Sequence, residues 1–157
     1  MGNSGSTKLE ESLGTHVPAS ERYFGLENFG NTCYCNSVIQ VLYYCLPFRQ
    51  RILDLAQVLC GSPTREGYES YLLEGLKEQE NTLLPALCRL FWTLSTQKER
   101  TGTLAPKEFI TKLRQQNAMF RSLMHHDAHE FFNYLLNDLS DSLKAVWAHA
   151  ADRQKTA

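Results

Sequence analysis

The chain has 157 residues, 43% of them hydrophobic, 11% aromatic and 21% charged, a composition that fits one compact globular domain and excludes a disordered or fibrous chain. Sixteen Lys and Arg against seventeen Asp and Glu leave a net charge of −1, so there is no basic field of the kind that grips nucleic acid. The apolar run from Val38 to Tyr44 is interrupted by Gln40 and stopped by Pro47, far short of the roughly 20 residues that span a bilayer.

In chain order, Met1-Gly2-Asn3-Ser4-Gly5-Ser6 matches the acyl-acceptor pattern that exposes Gly2 and places Ser6 at the favoured position. Two readings stand beside each other: Gly2 as a myristoylation site, or residues 1–22 as a plain flexible tail. One acyl chain gives only marginal membrane attachment, and Lys8 is the sole basic residue before Arg22. Tyr23 to Cys33 alternates apolar residues with Gly25 and Gly30, as in a structured turn. Val38, Val41, Leu42 and Cys45 then recur at the spacing of one helix face, with Asn31, Thr32 or Asn36 available as cap. Ile52, Leu55 and Leu59 form the face of a second helix that closes at Gly61-Ser62-Pro63.

The stretch from Gly61 to Asn81 reads mostly as loop, with a helical turn near Leu72 to Leu76. Leu83, Leu84, Leu87, Leu90, Phe91 and Leu94 define a strongly amphipathic helix. Pro106 suits a first helical position ahead of Phe109, Ile110 and Leu113. A last long helix starts around Asp127, which has capping-box spacing to Glu130, and carries Phe131, Phe132, Leu135, Leu136, Leu139, Leu143 and Val146 on its stripe. Of these, Leu135, Leu139, Leu143 and Val146 are expected to face a partner domain. Residues 148–157 form a polar end. No run has the alternation of a strand.

Five cysteines, an odd number without a secretory signal or glycosylation sequon, point to a reducing compartment, cytosol or nucleus. Cys33 and Cys35 are too close together, and Cys45, Cys60 and Cys88 too isolated, to predict a zinc site. Cys33 falls near a predicted helix start, where unpaired N–H groups and the helix dipole favour a thiolate and can hold an oxyanion. Asn28 carries an amide donor able to fold back to the same oxygen. The alternative is a buried, inert cysteine. His125 and His129, at i and i+4, share a helix face with only the carboxylates of Asp127 and Glu130 nearby in sequence, and a helical His pair is more often solvated, so no metal is expected there and neither is assigned as a base for Cys33.

The string Asn28-Phe29-Gly30-Asn31-Thr32-Cys33-Tyr34-Cys35-Asn36-Ser37 closely resembles the cysteine box of the ubiquitin-specific proteases, the papain-like deubiquitinases that cleave after the carboxyl-terminal glycine of ubiquitin. His125-His126-Asp127-Ala128-His129-Glu130-Phe131 resembles the family's second, glutamine-rich box, with His125 and His126 in place of paired glutamines. Tyr23-Phe24-Gly25-Leu26, Gln97 to Gly102 and Ala105-Pro106-Lys107 resemble the subgroup regulated by WD-repeat partners. The resemblance implies Cys33 as nucleophile, Asn28 as oxyanion-hole donor and Asp127 among the groups holding the ubiquitin tail. It implies no cofactor, and ubiquitin, ubiquitinated proteins and a WD-repeat regulator as partners. The implied fold is mainly α, the helical thumb-like half of the protease domain over residues 23–147, without the sheet-rich remainder or the block that carries the general-base histidine. The expected function is that of a cysteine-type deubiquitinase whose chain here is incomplete, the alternative being a catalytically inactive helical module that binds ubiquitin or a partner.

Overall fold

The computed structural model describes residues 11–12, 18, 20–61, 67–122 and 124–156; Gly2 and Ser6 lie outside them. In order, the elements are β1 (Tyr23–Leu26), α1 (Cys33–Tyr44), α2 (Leu46–Cys60), α3 (Tyr68–Glu78), α4 (Leu83–Ser95), β2 (Thr101–Leu104), α5 (Lys107–Gln116), a 3-10 turn (Ala118–Arg121) and α6 (Ala128–Thr156). The protein is mainly α, as its periodicities require.

The body is built around α4. Leu83 to Cys88, Leu90, Phe91 and Leu94 are all buried, because apolar residues occupy nearly every position that meets α2, α5 or α6. Phe91 sets its ring edge-on to Tyr43 of α1 at 5.1 Å and to Phe48 of α2 at 6.2 Å. Asp138 of α6 accepts a hydrogen bond from Leu83 N at 3.0 Å, so a side chain from another helix satisfies one donor of α4's first turn.

Four expectations are corrected. The segment read as loop contains α3, an eleven-residue helix. Gly67, at φ 63°, precedes it, and Gly75 lies within it. Gly75 gives no helix propensity but permits contact: a Cβ there would stand 3.0 Å from Val146 O and 3.2 Å from Val146 Cα on α6. Tertiary packing therefore makes this helix. That packing also overturns the expected partner-facing stripe, since Leu135, Leu139 and Val146 are buried within the chain itself and only Leu143 is partly covered.

The third correction is a pair of strands. β1 and β2 are parallel, in register from Tyr23 with Thr101 to Leu26 with Leu104. Four residues are too few to display a period, and each strand carries a glycine. At Gly102 a Cβ would lie 2.5 Å from the Phe24 ring, so the neighbouring side chain fills the space. The fourth concerns α1, whose buried face is Tyr34, Cys35, Ile39, Leu42 and Tyr43; Val41 is 69% exposed and Cys45 also faces out. Pro106 stands at the cap position of α5, one residue before its first turn, and Pro47 lies within the first turn of α2, where its missing N–H has no intrahelical role. α6 continues to Thr156, through the polar end of the sequence.

Candidate functional site

The site is made by the turn between β1 and α1. Gly30 and Asn31 both have left-handed backbone, φ 64° and 55°, a conformation glycine adopts freely and asparagine tolerates. The turn closes on Thr32, which is only 2% exposed. Asn28 Oδ1 accepts from Thr32 N at 2.7 Å and from Thr32 Oγ1 at 2.9 Å, and Thr32 Oγ1 accepts from Phe29 N at 2.9 Å. Arg114 of α5 adds an outside brace, donating from Nη2 to Phe29 O at 2.6 Å.

Cys33 is the first residue of α1 and is exposed. The first helical bond runs from Asn36 N to Thr32 O, so the N–H groups of Cys33, Tyr34 and Cys35 belong to the turn that has no intrahelical acceptor. Cys33 and Asn28 line one open cleft of about 330 Å³ with Leu26, Asn36, Ser37 and Gln40. The oxygen of the Asn28 amide is engaged by Thr32, which fixes the plane of the group whose nitrogen is the donor. Sequence expectation and structure thus place Cys33 and Asn28 together.

One wall of the cleft is a polar stripe of α1, from Asn36 to Gln40, that runs on past the cleft to Tyr44. Asn36 Nδ2 donates to Leu26 O at 3.2 Å and Glu27 O at 3.1 Å, Gln40 Nε2 to Phe24 O at 2.7 Å, and Tyr44 OH to Arg22 O at 2.9 Å. Odd-numbered residues of β1 face β2, as Tyr23 N to Arg100 O and Glu27 N to Leu104 O show. The even carbonyls point to the opposite edge, where α1 satisfies them. Thr32 was foreseen only as a cap, and Gln40, Tyr44 and Arg114 were not foreseen as part of the site. The partners of these last three are backbone carbonyls, which carry no residue signature.

The second box lies at the start of α6. Asp127 caps that helix, accepting from His129 N at 2.8 Å. His126 stands edge-on to Tyr34 and Phe120, with ring centroids 5.2 and 5.3 Å away, and its Nε2 is 3.1 Å from Ser122 Oγ. His129 lines, with Ser37, Val38, Val41, Ala128 and Phe132, an apolar groove that adjoins the Cys33 cleft at Ser37. His125 is exposed. Among the described residues no side chain hydrogen-bonds the Cys33 thiol, and no group of three His, Cys, Asp or Glu is placed to hold a metal ion.

Of the other thiols, Cys45 is exposed, Cys60 is half-buried, and Cys35 and Cys88 are buried. Burial pushes the Cys88 thiol up to about 12 and the Cys35 thiol higher still, so both remain protonated and unreactive at neutral pH. Tyr34, packed between His126, Phe120 and Phe131, is likewise pushed up to about 12 by burial.

An exposed cysteine opening a helix, an asparagine held beside it and a capped second helix across the groove agree with a wider comparison. The chain belongs to the ubiquitin carboxyl-terminal hydrolase family, whose model matches residues 24–157. It is 47% identical to ubiquitin carboxyl-terminal hydrolase 4 of Arabidopsis thaliana and 43% identical to ubiquitin carboxyl-terminal hydrolase 46 of Caenorhabditis elegans, in both cases over 100% of this chain. Against ubiquitin carboxyl-terminal hydrolase 12 of Salmo salar it is 44% identical over 88% of its length. The chain spans 39%, 34% and 33% of these three relatives.

Proposed function

We propose that the chain carries the nucleophile-bearing part of a thiol-dependent deubiquitinase. The observation that carries this reading is the cleft shared by the exposed Cys33 and the anchored Asn28. In the proposed reaction, Cys33 Sγ loses its proton to a general base that this reading places outside the 157 residues. The thiolate then bonds to the carbonyl carbon of ubiquitin's last glycine. The oxyanion so formed accepts hydrogen bonds from Asn28 Nδ2 and the first-turn N–H groups of α1. Collapse breaks the C–N bond, the leaving amine takes a proton, and water hydrolyses the thioester, regenerating the thiol.

Asp127 is proposed to hold the extended ubiquitin tail, through whichever of its carboxylate lone pairs the His129 amide leaves free. The resemblance of residues 97–102 and 105–107 to the WD-repeat-regulated subgroup supports such a regulator as partner, and Lys98, Glu99 and Lys107 there are exposed to meet one. We place the protein in cytosol or nucleus, with weak membrane association where Gly2 is acylated; intact mass of protein made in eukaryotic cells reads that modification.

Incubation with ubiquitin bearing a carboxyl-terminal propargyl group tests the central reading. One covalent adduct is expected, mapped to Cys33 and absent from Cys33→Ala. An adduct mapped to Cys45 or Cys60 overturns the assignment. Saturable ubiquitin binding without any adduct favours the second reading, a helical binding module, which is supported by the absence, among the described residues, of a hydrogen-bond partner for the thiol.

A further inference from the structure

The hydrogen-bonded stripe that forms one wall of the cleft has a register. Donors at Asn36, Gln40 and Tyr44 advance four residues at a time, about 6 Å along a helix. Acceptors at Leu26, Phe24 and Arg22 retreat two at a time, about 6.6 Å along a strand. The two repeats differ by only about half an ångström per step, so all three rungs close together. Sliding α1 by one residue would turn every donor away from its carbonyl, so the contact has one discrete setting.

The two groups of the proposed chemistry hang from the two sides of this ladder. Cys33 lies on the same helical stripe, three residues before Asn36, and Asn28 lies two residues beyond the end of β1. The 28–32 turn ties them locally. It does not fix the angle at which α1 leaves the turn, and thus the direction of the thiol across the cleft. The packed face of α1 and the ladder bear on that angle together, and Gln40 holds the centre of the ladder. Its bond to Phe24 O is the middle rung and, at 2.7 Å, the shortest of the ladder, and its side chain also forms part of the cleft wall.

We propose that Gln40 is a positioning residue for Cys33: by holding α1 in register on the free carbonyl edge of β1, it aims the thiol at the carbonyl carbon whose oxygen Asn28 receives. The proposal rests on the reading of Cys33 as nucleophile. A residue that aims a nucleophile changes how fast bound substrate reacts, and leaves the affinity of the first encounter alone.

The variant Gln40→Met keeps length and helix propensity and removes the donor. With propargyl-ubiquitin as probe, the saturating rate of adduct formation at Cys33 is expected to fall at least tenfold, with the half-saturating concentration within twofold of wild type. Gln40→Lys, which keeps a donor on a stem of similar length, should recover most of the rate. Iodoacetamide read in parallel separates aim from unfolding: Cys35 and Cys88, both buried, stay unlabelled while the fold persists. An unchanged saturating rate in Gln40→Met, with wild type forming the Cys33 adduct, overturns this inference and leaves the nucleophile reading standing. Failure of wild type to form that adduct overturns both. Should Gln40→Met expose Cys35 and Cys88 to iodoacetamide, Tyr44→Phe is read in its place. It removes the rung furthest from Cys33, with a two- to threefold loss expected and an unchanged rate again overturning the proposal.

Discussion

The end of the molecule that carries Cys33 and the body around α4 are held by different forces. In the body, Leu83, Leu87, Phe91, Leu135 and Val146 are buried among one another, and burial is strong but non-directional. At the Cys33 end, the turn from Asn28 to Thr32 and the stripe on α1 are set by hydrogen bonds to particular backbone atoms. Each is worth only about 1 kcal/mol net, yet each fixes a direction. The body supplies stability and tolerates small shifts; the turn contributes little stability and specifies angles.

This division is broken most forcefully from the body side. Phe91→Ala removes a fully buried ring that touches Tyr43 and Phe48 and should lower unfolding free energy by about 3–5 kcal/mol, read by urea denaturation. Well below the melting temperature, the rate of Cys33 adduct formation with propargyl-ubiquitin should stay within about twofold of wild type, since the turn is untouched. Asn28→Ala should do the reverse. With ubiquitin aldehyde as the probe, whose carbonyl oxygen becomes an oxyanion on attack, loss of the proposed donor should lower the rate of reaction at Cys33 by about 10²–10³, while stability falls by only about 2 kcal/mol through the two lost bonds to Thr32. A variant pair that moved both readouts together would show that site and body are one unit.

Smaller effects sharpen the same contrast. Gly75→Val places a branched side chain where even a Cβ would stand 3.0 Å from the Val146 carbonyl. Prying α3 from α6 should cost about 1–3 kcal/mol, visible as a lower denaturation midpoint without a change at Cys33. Smaller still is the pair Glu21–Arg49, two-pronged at 2.7 and 2.9 Å, with the guanidinium 5.0 Å over the Tyr43 ring. The hydrogen bond from Arg49 holds the Glu21 carboxyl below its ordinary 4.5. A depressed carboxyl stabilises the fold fully above 4.5 and ceases to do so as pH falls through its lower folded value. Glu21→Gln should therefore lose about 1 kcal/mol near neutral pH, and the difference from wild type should vanish in acid.

The contrast also explains what was legible in the sequence. α2, α4, α5 and α6 announce themselves because apolar residues repeat at helical spacing along each, whereas α1 is legible as a helix but buries a different face from the Val38, Val41, Leu42 and Cys45 repeat. α3 does not, since Gly67 and Gly75 look like turn residues and its helix packs on Val146, 71 positions from Gly75 in the chain. The strands escaped because four residues cannot show a period. At the site, the helix start at Cys33 and the nearness of Asn28 could be read from a short string of neighbours. The brace from Arg114 and the rungs from Gln40 and Tyr44 could not, because a backbone carbonyl looks the same at every residue. The expected outward stripe on α6 failed for the converse reason: apolar spacing marks a face for burial without saying what buries it.

The parallel pairing of β1 with β2 has a consequence for the order of folding. Residues 23–26 meet residues 101–104, and α1 to α4 all lie in the crossover between them. Closing so long a loop costs on the order of 4 kcal/mol of chain entropy before any rung forms. On the ribosome, β1 emerges early and waits without its partner until β2 has been made. The helix that Cys33 opens can coil in that interval, but its angle is set only when the strand beneath it is pinned. The cleft is therefore a late product of synthesis, and a chain halted before Leu104 would carry the whole cysteine box without the surface that gives it direction.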